Sequence, residues 1–273
     1  MNTFYDFICQ LGYEPKSEII PNKFIRLGRK NSASAKLFAN GLGGYLHDWR
    51  TGEKHFWFAE DNKSITHQER IERQIEIGRL KTAEEERVQK VHKEVAIQAE
   101  ILFKGASNAS ESHPYLVKKK VKPYDICQQV NNLLVPVCSV QGDFQSIQFI
   151  NGSGDKWFLR GGKTKGGCHF IGLLKMDSPV YIAEGYATAV SVHEDTQCLS
   201  IVAFNAKNLV PVAMDLRRHL PDIEIVIAGD YDQIGRQCAE QASKAVNGST
   251  SFPPFTESQK GTDWNDYFMG VTP

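Results

Sequence analysis

Apolar and polar positions follow different rhythms along the chain. From about residue 177 onward, short unbroken apolar runs alternate with segments whose apolar residues recur at helical spacing. "VYIAE" precedes a helix over about Tyr186 to Glu194, "LSIVAF" a helix over about Leu209 to His219, and "IEIVIAGD" a helix running to Val246, with "STSF" closing the series. Runs rich in β-branched residues and lacking polar alternation mark strands covered on both faces. Strands that alternate with helices predict a parallel sheet with helical crossovers, so residues 177–273 are expected to form a compact nucleotide-type α/β domain.

Upstream the rhythm changes. "NLLVPVC", "FQSIQFI" and "KWFLRGG" are three strand-like runs separated by turn residues, which predicts a meander within a region spanning residues 107–176. Residues 66–106 hold a stretch with no proline and one glycine, from about His67 to Phe103. Ile71, Ile75, Leu80, Val88, Val91, Val95 and Leu102 give an imperfect apolar stripe there. One or two long, exposed connector helices are expected, since the stripe does not keep a strict heptad. Residues 1–65 combine a short helical start with glycine, aromatic residues and short alternating runs. That pattern predicts a small α+β unit with antiparallel strands and tight turns at Gly43-Gly44 and Thr51-Gly52.

Composition excludes several classes. In 273 residues, 32 Lys and Arg balance 32 Asp and Glu, so any surface for nucleic acid must be local. The six cysteines, at 9, 127, 138, 168, 198 and 238, form no C-x-x-C pair, which argues against a zinc ribbon or disulfide scaffold and for free thiols. Neither a signal peptide nor a membrane span is legible, so a cytoplasmic protein is expected. "GGKT" at 161–164 resembles a P-loop end, but the leading glycine of that motif is replaced by Trp157.

The chemistry concentrates in acids at strand ends. Glu184 follows the strand "VYIA", and Asp230 and Asp232 follow "IVIAG". Ligands in open α/β sheets bind outside the carboxyl ends of strands, so neighbouring first and third strands would bring these carboxylates to one rim. Asp263 and Asp266, three apart in "GTDWNDYF", supply a further acidic source. Such a set suits one or two Mg²⁺ ions, whose hard-oxygen preference it matches. The alternative is that Asp232 caps a helix, Asp230 is a solvated turn residue, and Glu184 and Asp263 are helix N-terminal acids. Asn205, after the second strand, lines the same rim or serves as a cap. Lysines in "VKKKVK" are either a basic patch or solvated charge, whereas Trp157 and Phe158 beside Lys156 and Arg160 form a mix suited to single strands or belong to the core.

A strand ending in Glu-Gly and a later one ending in D-x-D resemble the motif pair of the Toprim domain. "HPYLVKKKV", "LLVPV", "SIQFI", "EGYATA", "AFNAKNL" and "TDWNDY", in that order over residues 105–270, resemble the TraC-like Toprim primases of conjugative plasmids and phages, relatives of DnaG-type primases. The resemblance implies a Rossmann-like parallel sheet in the C-terminal domain and a nucleotidyltransferase that makes short primers on single-stranded DNA from nucleoside triphosphates. It implies Mg²⁺ or Mn²⁺ as cofactor, and a replicative helicase or other replication protein as partner. By position, Glu184 matches the catalytic glutamate and Asp230 and Asp232 the metal-binding pair; Asp263, from the acidic segment near the end, is expected as a further metal ligand. Lys118, Lys119, Lys120, Lys156, Arg160, Lys163 and Lys165, with Asn205, would contact nucleic acid or nucleotide. Glu184 would serve as general base or as metal ligand. Two departures accompany the match: "GGYLHDWRTGEKHFWF" lacks the cysteines of the family's zinc-binding unit, and no helicase segment follows within these residues. Independent priming is therefore not implied by the resemblance alone. A Toprim nuclease, with water in place of the 3′-hydroxyl, and a noncatalytic accessory protein are the competing readings.

Overall fold

A computed structural model describes residues 3–39, 41–59, 67–255 and 261–270. The chain forms two compact units, Met1–Ala83 and Glu84–Pro273.

The first unit starts with helix α1 (Phe4–Gln10), opened by a capping box in which the Asp6 amide donates to Thr3 Oγ1 and the Thr3 amide donates to the Asp6 carboxylate. Strands β1 (Phe24–Leu27), β2 (Ala33–Leu37), β3 (Gly43–Asp48) and β4 (Lys54–Phe58) form an antiparallel meander in that order. Ile25, Leu27, Ala33, Ala35 and Leu46 point to one face and bury themselves against Phe4 and Ile8 of α1. Thr51-Gly52 is a turn as expected, with Gly52 at φ 76°. Gly43-Gly44 is not: both glycines open β3. A Cβ on Gly44 would lie 2.6 Å from the Phe4 ring and 2.8 Å from the Lys36 carbonyl oxygen, so the residue is small to admit the helix, not to turn the chain.

Helix α2 (His67–Lys104) is a single 38-residue element that contains the division between the units. The side chains of Ile71 and Leu80 lie outside the described residues; of the rest of the stripe, Ile75 is exposed and Val95 is buried. In the second unit Ala99 and Leu102 pack against an antiparallel sheet. That sheet runs in the order β5 (Ser107–Asn108), β6 (Cys127–Gln129), β7 (Asn132–Cys138), β8 (Phe144–Asn151), β9 (Lys156–Phe158), and its last three strands are the expected meander. The short helix α3 (Pro114–Lys119) stands between β5 and β6, with proline in its first turn, where no N–H is needed.

The remaining strands are β10 (His169–Ile171), β11 (Val180–Ala183), β12 (Ser200–Val202), β13 (Ile225–Ala228) and β14 (Ser249–Ser251), in the spatial order β10-β12-β11-β13-β14. All pairings are parallel except β10 with β12. The crossovers are α4 (Tyr186–Thr196), α5 (Leu209–His219) and α6 (Gln233–Val246). Alternation along the strands explains the layers. Val180, Ile182, Ile225 and Ile227 face α5 and α6, while Ala183, Val202 and Ala228 share a core with α4 and the antiparallel sheet. The α/β architecture with a parallel sheet in the C-terminal part is the one the apolar runs predict.

Candidate active site

Strands β11 and β13 are neighbours, and their register pairs Ala183 with Ala228. The residues that follow, Glu184-Gly185 and Gly229 to Asp232, therefore leave the sheet side by side at its carboxyl rim. The second turn is tightly packed. A Cβ on Gly229 would lie 2.5 Å from the Phe252 ring, and one on Gly235 would lie 2.8 Å from Asp230 Cβ and 2.9 Å from its carbonyl oxygen. Only glycine lets the first turn of α6 sit against the backbone of Asp230.

The two members of the acidic pair differ in environment. Asp232 is exposed and caps α6, its Oδ1 accepting from the Gly235 amide at 2.7 Å. Asp230 is half-buried, and its Oδ1 is shut from solvent with no hydrogen-bond partner. Burial first, then the charges of Glu184, Asp263 and Asp232, push its pKa up to about 8, with Lys156 pulling the other way. Burial likewise raises Glu184, against a backbone hydrogen bond at Ala206. The solvated-turn alternative thus fails for Asp230, whereas the capping alternative holds for Asp232 beside any other role. Asp263 also caps, accepting from the Asp266 amide at 2.9 Å at the start of the last helix, α7 (Trp264–Phe268).

Three of these acids share a cleft of about 370 Å³ with basic residues, and Asp232 is not among the residues that line it. Glu184, Asp230 and Asp263 line it together with Lys118 and Lys119 of α3 and Lys156 of β9, and with Tyr115, Ser153, Thr188 and Phe204. Lys156 is exposed as a residue, yet its ammonium is crowded within the cleft, 5.9 Å from the Tyr115 ring centroid. That crowding, then Lys119, lowers its pKa, while Asp263, Glu184 and Asp230 act to raise it. Helix α7 ties the walls together: Asn265 Nδ2 donates to the Lys119 carbonyl at 2.8 Å and to Ser191 Oγ at 2.9 Å, and Lys119 Nζ lies 3.3 Å from Asp266.

Not every expected residue reaches the cleft. Lys120 ends α3 in the left-handed conformation and is exposed, and Arg160, Lys163 and Lys165 are exposed in the loop after β9, outside the lining. Asn205 caps a short 3₁₀ turn, its Oδ1 accepting from the Asn208 amide at 3.1 Å. Trp157 stacks on Phe149 at the exposed side of β9, and Phe158 meets Phe204 edge-on. His169 is buried, bonded to the Tyr124 carbonyl and pushed down to about 4 by that burial, which makes it structural. Tyr115, buried with no hydrogen-bond partner for its hydroxyl, and Thr188 lie inside "HPYLVKKKV" and "EGYATA" but do not stand out there, because neither side chain is charged. Asn208, inside "AFNAKNL", does not stand out either. It is buried, accepts from the Gly166 amide, and donates to Thr164, Gly167 and Ala203 carbonyls, pinning the loop after β9 to the end of β12.

Among the described residues, no three His, Cys, Asp or Glu side chains are drawn together closely enough to hold a metal ion as they stand. Mg²⁺ rarely needs such a cage, since it binds through one or two carboxylates with waters and substrate phosphates. The donor set fits that mode: hard oxygens, one of them the orphaned Asp230 Oδ1, whose charged form burial and the neighbouring carboxylates disfavour and a cation would favour.

Residues 179–272 match the Toprim domain family. The C-terminal part of this chain is a Toprim domain. Its strand-end Glu184 and the Asp230–Asp232 pair fall inside the match. The chain is also similar to two DNA primases TraC of Escherichia coli, 29% identical over 231 residues in one and 34% over 137 in the other. These alignments cover 79% and 46% of this chain but 22% and 10% of the relatives, so the chain spans at most about a fifth of their length. Similar solved structures include the primase fragment of the bacteriophage T7 primase-helicase, at 15% identity and TM-score 0.44 over 62% of this chain and 71% of that one. Another is the Aquifex aeolicus primase with its zinc-binding and RNA polymerase domains, at 10% identity and TM-score 0.45 over 90% and 77%.

Proposed function

We propose that the chain is a divalent-metal-dependent nucleotidyltransferase that makes short primers on single-stranded DNA, with the Toprim domain supplying the reacting cleft. The observation that carries this reading is the meeting of two charge types in one cleft: Glu184, Asp230 and Asp263 with Lys118, Lys119 and Lys156. A site for transferring a nucleotidyl group must hold a polyanionic triphosphate and also remove a proton from the attacking hydroxyl. The similarity to DNA primases TraC narrows the transfer to primer synthesis.

In this reading Asp230 and Asp232, with Asp263, hold Mg²⁺ or Mn²⁺. Bound there, the metal would offset phosphate charge and acidify the 3′-hydroxyl. Lys118, Lys119 and Lys156 receive the triphosphate and orient its α-phosphorus. Glu184 accepts the hydroxyl proton on its carboxylate; burial raises its pKa toward neutrality, which improves it as a base. The bond from the 3′-oxygen to the α-phosphorus forms as the bond to the bridging oxygen breaks, and pyrophosphate leaves.

The test is incubation of the purified chain with single-stranded DNA, labelled ribonucleotides and Mg²⁺, beside Glu184→Gln and Asp230→Asn. Short labelled oligomers, absent from both variants, are expected. Shortened DNA with no labelled product would overturn primer synthesis in favour of hydrolysis at the same cleft, and no turnover at all would make the chain an accessory binding protein.

A further inference from the structure

A pair of cysteines joins the antiparallel and the parallel sheet of the second unit. Cys138, the last residue of β7, and Cys168, just before β10, stand directly opposite each other in antiparallel pairing. Each backbone amide donates to the other's carbonyl at 2.8 Å. Such a hydrogen-bonded pair keeps its α-carbons about 5.5 Å apart and turns both β-carbons to the same face. A disulfide needs α-carbons roughly 4.4–6.8 Å apart and β-carbons nearer about 3.8 Å, some 1 Å closer than this pairing holds them. The ladder between β7 and β8 slips at Val137/Cys138, so the end of β7 already lies outside the regular register where that movement is required.

Both thiols are free, and the charge of Cys138 adds to burial in raising the pKa of Cys168. Their exposure differs. Cys168 is fully buried in the core beneath α5, whereas Cys138 is half-buried and can be reached from solvent. Among the described residues, no other cysteine faces a cysteine in the strand pairings.

We infer that Cys138 and Cys168 close a reversible disulfide when a peroxide oxidises them, a latch that ties the sheet carrying Lys156 to the sheet carrying Glu184 and Asp230. The inference is independent of the reaction proposed for the cleft. In the first step the Cys138 thiolate attacks one peroxide oxygen and the O–O bond breaks. Cys138 becomes a sulfenic acid, and the departing hydroxide takes up the proton that the thiol gave, forming water. The Cys168 sulfur then bonds to the Cys138 sulfur, the S–O bond breaks, and hydroxide leaves with the Cys168 proton as a second water. Two thiols lose two electrons, and the peroxide gains them.

The surroundings set the speed and the reversibility. Burial, then Asp143, push Cys138 up to about 11, so its thiolate is scarce at neutral pH and grows about ten-fold with each pH unit. Closure is therefore slow at pH 7 and answers sustained oxidation. A bond drawn across a hydrogen-bonded pair is strained, and strained disulfides are the more readily reduced. The closed loop of about 30 residues contains β8 and β9, and with them Lys156.

The experiment treats the full chain with hydrogen peroxide at pH 7, 8 and 9, alkylates the remaining thiols in denaturant, and maps each cysteine by peptide mass. A cross-linked pair of peptides holding Cys138 and Cys168 is expected, formed about ten-fold faster per pH unit and returned to two thiols by a monothiol reductant. Exposed Cys9 reports that the oxidant has acted. Cys168→Ala should leave an oxide on Cys138, whereas Cys138→Ala should leave Cys168 a thiol; the wild-type map decides alone if either variant folds poorly. The oxidised chain should show an unfolding equilibrium constant in urea roughly 100-fold below that of the reduced chain. Cys138 and Cys168 both still alkylated after Cys9 is oxidised, a bridge to another cysteine instead, or an oxidised chain that unfolds as readily as the reduced one would overturn the inference.

Discussion

Replacing Asp230 with asparagine should make the metal-free protein more stable at neutral pH, although it removes a residue from the centre of the candidate site. The carboxyl, ordinarily titrating at 3.8, is pushed up to about 8. The folded state therefore binds the extra proton throughout the interval between those values, and stability falls as pH rises across it. Each tenfold change in proton activity is worth 1.36 kcal/mol, so the ionisable group costs at most about 4 kcal/mol at pH 7 relative to pH 3.8. Relaxation of the neighbouring carboxylates reduces that figure, and a gain of about 2 kcal/mol is the expected result for Asp230→Asn in EDTA at pH 7. Asparagine matches the protonated acid in shape, so the gain should shrink towards zero near pH 4.

The comparison must be between variant and wild type at each pH. His169 is pushed down to about 4, below its usual 6.5, so it opposes the trend by destabilising the fold as pH falls through that window. Urea unfolding at pH 4, 5.5 and 7 supplies the differences, and a second series with Mg²⁺ supplies the link to the metal. Wild type should gain stability from Mg²⁺ by mass action, and the variant should gain little. An asparagine variant less stable than wild type at pH 7 in EDTA would refute the assignment of Asp230 as a strained, uncompensated acid. An unchanged response to Mg²⁺ would remove it from the metal ligands.

Three further outcomes follow from particular contacts. Gly235→Ala forces a methyl against Asp230 and should destabilise by about 1–3 kcal/mol in urea while lowering activity, because the backbone of the acidic turn must shift; unchanged activity would show that the turn tolerates the shift. Asn208→Ala removes the side-chain partner of the Gly166 amide and of the Gly167 and Ala203 carbonyls, while Thr164 keeps the Gly167 amide, and should cost about 2–4 kcal/mol, measured by the urea midpoint, with the loop after β9 becoming protease-sensitive. Lys156→Ala should raise KM for nucleoside triphosphate at least ten-fold with a smaller effect on unfolding, whereas an unchanged KM would remove Lys156 from the phosphate contacts.

What was legible in the sequence was what depends on near neighbours. Apolar runs such as Ile225–Ala228 announced strands covered on both faces, and the D-x-D turn after β13 followed from its place between strand and helix. What was not legible depends on partners distant in the chain. Gly43-Gly44 reads as a turn locally, but its size answers the Phe4 ring. Helix α3, with six residues and two terminal lysines, carries too little periodicity to register, although it delivers Lys118 and Lys119 to the cleft. The antiparallel strand β10 adds an edge to the parallel sheet that alternation of strand and helix does not foretell. At the site, residue type pointed to Glu184, Asp230 and Asp263. It could not separate Lys156, held in the cleft, from Lys163 and Lys165 a few residues on, because only the end of β9 divides them.

The bonds made by α7 set an order of events in synthesis. Tyr115 and Lys119 emerge from the ribosome about 150 residues before Asn265 and Asp266, to which the α3 corner is tied. Until that late segment is free to fold, the lysine corner lacks its anchor and the acidic rim lacks Asp263. A growing chain can complete the strands and helices of the parallel sheet and still have no finished cleft. Nucleotide-binding capacity is therefore expected to appear only once residues 263–266 have left the ribosome, and nascent chains stalled before residue 263 would expose Lys118 and Lys119 without Asp263 and Asp266.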